Sequence, residues 1–451
     1  MVFNMRVGIV TLGCDKNTVD NEYLAGLLRE SGCEPVAVGE HLPEEPIDAV
    51  VVTTCAFIAA AREQSVDVIV RLAENKRRTG HPGRLYVAGC LSQGFSTELM
   101  DAVEEIDGMV GVGQQQELVD MIVAGDGSDR RMNVHGEPRV EVLRRLPRQR
   151  LTGHRFGFLK IADGCNHTCS FCAIPRLKGP YRSVDPDILL DEARQMLSEG
   201  IREINLVAQD VAAYGVDRWS AYRLSDLLQS LCGLSGTFWI RLLYCYPGGL
   251  SDRLLRMIRE EPKIVPYLDV PLQHLDDRVL RRMRRPAARM RADRLVKRLR
   301  AAIPELTLRT TMVIGFPGET EAEFQRLLEG VRALRFERLG AFMYSREPET
   351  AAASEADQVA PDVKRRRWHR LMEEQARVAT QWACGRIGTR PWVLIEGREP
   401  NGTRWMGRSP AEAPEVDAYV YIQSEHELEA GMFVQVEILA VEDDDLVGRV
   451  L

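Results

Sequence analysis

Apolar positions along this chain fall into two trains of alternating strand and helix signals, followed by a tail with a different rhythm. In Arg6–Asp129 the runs RVGIVTLG, DAVVVTT and RLYVAG are short, apolar and rich in β-branched residues, as buried strands are. Helical stretches lie between them, among them VDNEYLAGLLRE and the segment after Phe57. The alternation predicts a parallel sheet covered by helices. Asn133–Arg155 is rich in Arg and Pro without a clear period and reads as a linker. From Phe156 six strands are expected: FGFLKIA, EINLVA, FWIRLL, PYLDV, LTLRTTMVI and RLGAFMY. Amphipathic helices such as PDILLDEARQMLSE and ETEAEFQRLLEGVRAL fit between them. Six strand–helix units predict an open, partial (β/α)6 version of the eightfold barrel. The helical stretch VKRRRWHRLMEEQARVATQWA follows. From about Pro391 the helical period is gone, and PWVLIEG, AYVYIQS, MFVQVEILAV and DLVGRVL predict a small antiparallel β-barrel of about five strands. The fold class is α/β. The expected domains are residues 5–130, a linker at 131–150, a core at 151–385 and the small barrel at 386–451.

Composition narrows the class without changing this picture. With 451 residues, 45% hydrophobic and 28% charged, the chain has the make-up of a soluble globular protein with a sizeable core. The opening MVFNMRVGIV runs straight into a strand, with no secretory signal, and no apolar run is long enough to span a bilayer. A cytoplasmic location with no membrane partner is expected. In a reducing compartment the ten cysteines are poor disulfide candidates, which leaves metal ligation or packing. Charge is uneven. Pro391–Leu451 holds thirteen Asp and Glu against four Arg, a charge of −9 in a chain whose total is −7, so the remainder carries +2. A chain that coats nucleic acid is not expected to be acidic.

Two cysteine constellations stand out. Cys165, Cys169 and Cys172 form C-x-x-x-C-x-x-C in GCNHTCSFCAIP, on the loop after the first barrel strand. Barrel enzymes place their chemistry at that end of the strands. Three close thiolates can hold three corners of a cubane cluster, and with no fourth cysteine nearby one iron is left open. The plainer alternative is half a zinc site, but a second C-x-x-C or a His pair at suitable spacing is missing. The second constellation is scattered in sequence. Cys14, Cys55 and Cys90 each follow the carboxyl end of a predicted strand. In a parallel sheet those ends share the edge where ligands bind, so three separated thiols are expected to converge on a shared metal site. Any one of them alone would be read as a small buried hydrophobe. Cys33, Cys232, Cys245 and Cys384 lack this placement and are read as core or incidental, although Cys245 is expected at the barrel mouth.

The C-x-x-x-C-x-x-C motif is the signature of the radical S-adenosylmethionine superfamily, which this chain resembles. The resemblance implies that the open iron binds the amino and carboxylate groups of S-adenosylmethionine, and that reduction cleaves the sulfonium to a deoxyadenosyl radical. Phe171 matches the aromatic placed near the adenine. TTMVIGFPGE, Thr310–Glu319, resembles the cofactor-binding motif of a late barrel strand, with Gly315, Gly318 and Glu319 in its turn. Taken alone it reads more readily as an ordinary strand–turn–helix than as a cofactor motif. Over nearly its whole length the chain resembles the methylthiotransferases, whose order is an N-terminal methylthiotransferase domain, a radical core and a TRAM barrel. GCDKNTVDNEYLAGLL, YLDVPLQH, DQVAPDVKRRRWHRLMEEQ and MGRSPAEAPEVDAYVYI resemble the RimO-type subgroup, which modifies an aspartate in the twelfth protein of the small ribosomal subunit. One departure is Thr53-Thr54-Cys55, where the family usually has Asn-Thr-Cys.

The resemblance implies two [4Fe-4S] clusters with S-adenosylmethionine. The cluster on Cys165, Cys169 and Cys172 generates the radical, and the cluster on Cys14, Cys55 and Cys90 carries the sulfur. The target β-carbon is unactivated, so an acid or base in the chain cannot deprotonate it, and a cofactor radical is the route. Gln209, Asp210, Gln273 and His274, at strand ends, are candidates for cofactor or substrate contact, or else turn-forming polar residues. The expected partners are a basic ribosomal protein, drawn to the acidic tail, and an electron donor the residues do not identify. Strong transfer-RNA binding is not expected, because phosphate contacts demand a basic surface. The arginine-rich stretch Arg278–Arg300 reads as the wet face of a barrel helix. The competing readings are a MiaB-type transfer-RNA methylthiotransferase, with the same chemistry on an adenosine, and a non-catalytic iron–sulfur protein.

Overall fold

The computed structural model describes all residues except 1–4, 41–44, 125–131, 135, 137, 139–144, 286–291, 400 and 401. The chain forms two compact units. One contains Met1–Gly153, Ala162–Ile188 and Ser345–Ala353; the other contains His154–Ile161, Leu189–Tyr344 and Ser354–Leu451.

The first unit is built on strands β1 (Met5–Thr11), β2 (Cys33–Val38), β3 (Ala49–Thr54), β4 (Arg84–Gly89), β5 (Gly108–Val110) and β6 (Met132–Val134). They pair in the order β2-β1-β3-β4-β5-β6, and every pairing is parallel. Helices α1 (Asp15–Glu30) and α4 (Gln115–Ala124) bury Leu24, Leu28, Leu118 and Ile122 on one face. Helices α2 (Ala59–Thr79) and α3 (Cys90–Ala102) bury Val68, Ile69, Leu91 and Leu99 on the other. All six residues of β3 are buried, which explains why its run AVVVTT is apolar almost without alternation. The order reverses between β1 and β3, the switch point where doubly wound sheets open a ligand crevice.

Two segments depart from the sequence reading. The expected linker is partly ordered. Met132–Val134 pairs with β5, and Leu146 and Leu151 pack into the α1/α4 core. Arg148 is buried, with its Nε donating to Glu22 at 2.9 Å. An extended segment that docks through isolated residues has no period to detect. Residues 135, 137 and 139–144 of that stretch lie outside the described residues. The second departure is the cysteine loop. After β7 (Phe156–Lys160), a strand of the second unit, the chain returns to the first unit as a ribbon of β8 (Ala162–Asp163) and β9 (Arg182–Ser183), with helix α5 (Ile174–Lys178) between them. Ala173 and Leu177 join the core of α2 and α3.

In the second unit β7 is followed by β10 (Glu203–Val207), β11 (Trp239–Leu242), β12 (Ile264–Asp269), β13 (Thr307–Ile314) and β14 (Arg338–Met343). They form a parallel sheet in the order β14-β13-β12-β11-β10-β7, the expected six-stranded partial barrel. The long helix Pro361–Cys384 leads to a closed barrel of β15 (Trp392–Arg398), β16 (Trp405–Arg408), β17 (Val420–Gln423), β18 (Phe433–Glu442) and β19 (Asp445–Val450). One pairing, β17 with β19, is parallel rather than antiparallel, because β19 turns back from β18 to lie beside β17.

A buried charge network joins the amino end of the six-stranded sheet to the small barrel. Glu203, at the start of β10, accepts from Arg241 Nε at 2.6 Å and from Arg408 Nη1 at 2.6 Å, and all three residues are fully buried. Arg408 Nε also donates to Glu396 at 2.6 Å, and Arg241 Nη1 to the Pro410 carbonyl at 2.8 Å. Burial pushes the Glu203 carboxyl up, but the two guanidinium groups outweigh it and hold it below the usual carboxylate range. Its contribution is therefore present at neutral pH and is lost as pH falls through that depressed value. Removing one partner of such a buried pair typically costs ~3–5 kcal/mol, because the remaining charge is left uncompensated. Arg408→Met is expected to lower the unfolding free energy of the second unit by that order, read as a fall in its denaturant midpoint. A midpoint equal to the parent's would show that the network carries no stability.

Candidate functional site

Cys14, Cys55 and Cys90 each follow the carboxyl end of a strand of the first parallel sheet, so their backbone positions share one edge. Cys14 caps α1 three residues beyond β1, Cys55 directly follows β3, and Cys90 opens α3 directly after β4. Glycines make the approach possible. Gly13 has φ +99°, and a Cβ there would stand 2.8 Å from Cys55 Cβ and 3.3 Å from its Sγ. Gly89 has φ +101°, and a Cβ there would stand 2.7 Å from the Thr54 carbonyl. Side chains staple the strand ends. Asn17 Nδ2 donates to the carbonyls of Leu12 (2.7 Å) and Thr54 (3.2 Å), and Thr54 Oγ1 donates to the Ala88 carbonyl at 2.7 Å. Thr53, the departure from the family pattern, donates its hydroxyl to Asn21 Oδ1 at 2.5 Å, so it takes part in the same bracing. A cleft of about 510 Å³ opens at the β1/β3 switch point and is lined by Leu12, Gly13, Cys14, Cys55 and Phe57.

Burial governs two of these thiols. Burial pushes the Cys90 thiol up to about 12; Lys178 opposes the shift, while Cys55 and Cys14 add to it. Burial likewise raises Cys55, with Cys14 adding and Lys178 opposing. Cys55, half-buried, and Cys90, buried, therefore resist ionisation until a cation arrives, while Cys14 is exposed.

Cys165, Cys169 and Cys172 occupy the loop between β8 and α5. The loop enters through Gly164, at φ +76°, where a Cβ would meet the Pro180 carbonyl at 2.1 Å. Its two limbs are tied by Cys165 N–H to the Gly179 carbonyl (3.1 Å) and Tyr181 N–H to Asn166 Oδ1 (2.9 Å). His167 N–H points at Cys165 Sγ at 3.4 Å, as backbone amides do towards cluster sulfurs. Cys165 is buried, and Phe171, Cys169 and Cys172 are half-buried. Among the described residues, no three His, Cys, Asp or Glu side chains are drawn in as for a single metal ion. Each set supplies three cysteine sulfurs, the ligand type that iron–sulfur clusters take.

The other sequence candidates lie at the carboxyl ends of the six-stranded sheet. Asp210 is buried and accepts the Tyr246 N–H at 3.1 Å. Gln209 is half-buried beside it. Gln273 has φ +73° and bridges to β13 through its N–H to Thr311 O (2.8 Å) and its carbonyl to Val313 N–H (2.7 Å). Tyr244, at φ +58° after β11, was not legible as a site residue. Its N–H donates to Asp269 Oδ2 at 3.1 Å. With Gly315 at φ +72°, a left-handed residue lies in the loop after each of three successive strands. Such strain collects at functional sites.

Glu319 turns inward. Its Oε2 accepts the Gly315 and Phe316 N–H groups at 2.8 and 3.3 Å, and Oε1 accepts Arg367 Nη1 at 3.0 Å. Burial pushes its carboxyl up to about 7 against Arg367. His274 is fully buried, with Nδ1 accepting the Asp276 N–H at 2.9 Å, and burial pushes it down to about 3, so it stays neutral. These two residues shape the turn. Cys245 is fully buried, and burial drives its thiol well up. Of the arginines from 278 to 300, Arg282 pairs with Glu323, and Arg285 is buried with its guanidinium over the Tyr246 ring. Arg281 and Arg284 are exposed.

Three family models match the chain. Residues 159–331 match the radical SAM superfamily, residues 6–111 an uncharacterised protein family (UPF0004), and residues 387–451 the TRAM domain. Ribosomal protein uS12 methylthiotransferase RimO of Desulforudis audaxviator is 43% identical over 99% of this chain and 97% of its own. The RimO proteins of Desulfitobacterium hafniense and Geotalea uraniireducens are each 40% identical over 99% of this chain, and over 99% and 98% of their own. Among solved structures, the radical S-adenosylmethionine methyltransferase TsrM from Kitasatospora setae shares the fold, with a TM-score of 0.59, 15% identity, and 89% of this chain and 81% of that one covered. OxsB, a cobalamin-dependent S-adenosylmethionine radical enzyme, aligns with a TM-score of 0.53 at 12% identity over 83% of this chain and 56% of that one. With relatives of this identity spanning both chains end to end, the chain belongs to the RimO family of ribosomal protein uS12 methylthiotransferases.

Proposed function

We propose that this chain transfers a methylthio group to the β-carbon of an aspartate in ribosomal protein uS12. One observation carries the reading. Both three-cysteine sets fall in one compact unit of a chain that matches uS12 methylthiotransferases from end to end. When bound, two [4Fe-4S] clusters and S-adenosylmethionine supply a radical able to take hydrogen from an unactivated carbon, and the sulfur to replace it. Cys165, Cys169 and Cys172 would hold the cluster that binds S-adenosylmethionine, and Phe171, on the same loop, would contact that cofactor. Cys14, Cys55 and Cys90 would hold the sulfur-carrying cluster at the carboxyl edge of the first sheet, beside the switch-point cleft that Cys14 and Cys55 line. Gln209, Asp210, Gln273 and the Gly315 turn line the cofactor and substrate side, and Glu319, braced by Arg367, keeps that turn in shape. Lys364, whose side chain lies where a Cβ on Gly315 would be, backs it from behind. The electron donor is a separate partner.

The substrate side rests partly on charge, and the tail's −9 overstates what a partner meets. Glu412 is buried against Arg338 and Arg386, Asp417 pairs with Arg309 at 2.8 Å, and Glu437 with Arg390 at 3.3 Å. Asp445 accepts the Tyr419 N–H at 2.7 Å. Glu425, Glu429, Asp443 and Asp444 remain outward. They form the acidic surface for a basic ribosomal protein.

Anaerobically reconstituted protein should hold about eight irons as two four-iron clusters. Replacing Cys165, Cys169 and Cys172 with Ala should halve the iron; complete loss, or no change, would refute two separate sites. Replacing Cys14, Cys55 and Cys90 with Ala should leave reductive cleavage of S-adenosylmethionine to deoxyadenosine, while methylthiolation of uS12 disappears from its mass spectrum. Retained methylthiolation would remove the sulfur-carrying role. For the substrate, Glu425→Gln, Glu429→Gln, Asp443→Asn and Asp444→Asn together should slow association with uS12 more than they change turnover. Added salt should do the same, since exposed charges are screened beyond ~10 Å at 0.1 M. Tight binding of transfer RNA without affinity for uS12 would sink the protein-substrate reading.

A further inference from the structure

Lys178 is a buried cation that the chemistry above does not use. It closes α5, six residues after Cys172, and its side chain is 3% exposed. Its Nζ lies 3.4 Å from Asp20 Oδ2 and 3.7 Å from Asp163 Oδ2. Asp20 is on α1, the helix that Cys14 caps; Asp163 stands two residues before Cys165. Lys178 also lines a small pocket with Asn17, Thr53 and Gly89, at the ends of β1, β3 and β4. Cys14, Cys55 and Cys90 all lie within its electrostatic reach. The loop that carries one set of thiols thus delivers a fixed positive charge to the other set.

We propose that Lys178 is a positioning residue of the sulfur site, whose ammonium, set between Asp20 and Asp163, balances the negative charge of the group held on Cys14, Cys55 and Cys90 and raises its reduction potential. The proposal rests on the reading of those three cysteines as cluster ligands. Net charge and nearby fixed charge are main determinants of cluster potential, and residues outside the ligand set orient and tune a metal group. A cation favours the more negative, reduced form. A carboxylate disfavours it.

The alternative is that the ion pair only staples the loop to the sheet, and signs separate the two. Lys178→Met and Asp20→Asn both break the same ion pair. A staple would make them act alike. A charge effect makes them act oppositely: the midpoint potential falls in Lys178→Met, rises in Asp20→Asn and stays at the parent value in Lys178→Arg. The measurement is a redox titration, followed by electron paramagnetic resonance, of the full chain carrying Cys165→Ala, Cys169→Ala and Cys172→Ala, so that only the sulfur site is loaded. If Lys178→Met does not fold, the rise in Asp20→Asn and the unchanged Lys178→Arg still decide the matter. Shifts of the same sign, or none, overturn the role of Lys178 while leaving the cluster assignment intact. A parent chain without iron overturns the cluster assignment, and the role of Lys178 with it.

Discussion

Parallel strands end on a common edge, and both halves of this chain depend on that constraint. A parallel sheet buried on both faces offers no site within itself, because its side chains are committed to packing. Chemistry is confined to the edge where the strands stop. In the first sheet the edge collects Cys14, Cys55 and Cys90 from stretches far apart in sequence. In the second it collects Asp210, Tyr244, Gln273 and the Gly315 turn. Glycine is needed wherever backbone must pass close, and Gly13 and Gly89 stand directly before two of the thiols. The loop from Ala162 to Ile188 leaves the second sheet at its carboxyl edge and packs with the first, so both cysteine sets belong to one body. Their spacing is then fixed by a folded core containing Leu177 and Leu91 rather than by an interdomain contact.

The opposite, amino end of the second sheet carries the buried charge of Glu203, Arg241 and Arg408. A buried ion pair is weak evidence for net stability, since hydrophobic replacements often do as well. It does, however, impose one geometry. Arg408 must face Glu203 and Glu396 together, which fixes β16 against the start of β10. Keeping this network away from the carboxyl edge separates anchoring from chemistry, the usual division in barrel enzymes.

Much of this was legible in the sequence, for physical reasons. The runs before Cys14, Cys55 and Cys90 are long and β-branched, so the strands and their ends could be placed. The C-x-x-x-C-x-x-C loop is local and reads directly. What escaped is non-local or short. β5 and β6 are three residues each, too short to show a period. Lys178 meets Asp20 across 158 positions, and nothing near either residue announces the pair. The inward turn of Glu319 depends on Arg367, 48 positions away on the long helix Pro361–Cys384. Tyr244 gives no signal at all, because a left-handed aromatic is set by its surroundings and not by its own preference.

Net charge shows the same limit from another side. A sum over Pro391–Leu451 treats every carboxylate as facing water. Folding sorts them. Glu412 and Asp417 are buried against arginines from outside the barrel and contribute to docking instead of to the surface field. The pair Asp443 and Asp444 forms the tip of the hairpin joining β18 to β19, where Glu442 and Asp445 face each other across the strands. Charges at an exposed tip act on encounter and are screened by salt, whereas buried pairs act on geometry and are not. A basic partner therefore meets a smaller acidic surface than composition implies. Charge on this barrel then bears mainly on how fast a substrate arrives, and its identity has to be read at the carboxyl edge, where the backbone is strained and the polar side chains are held in place.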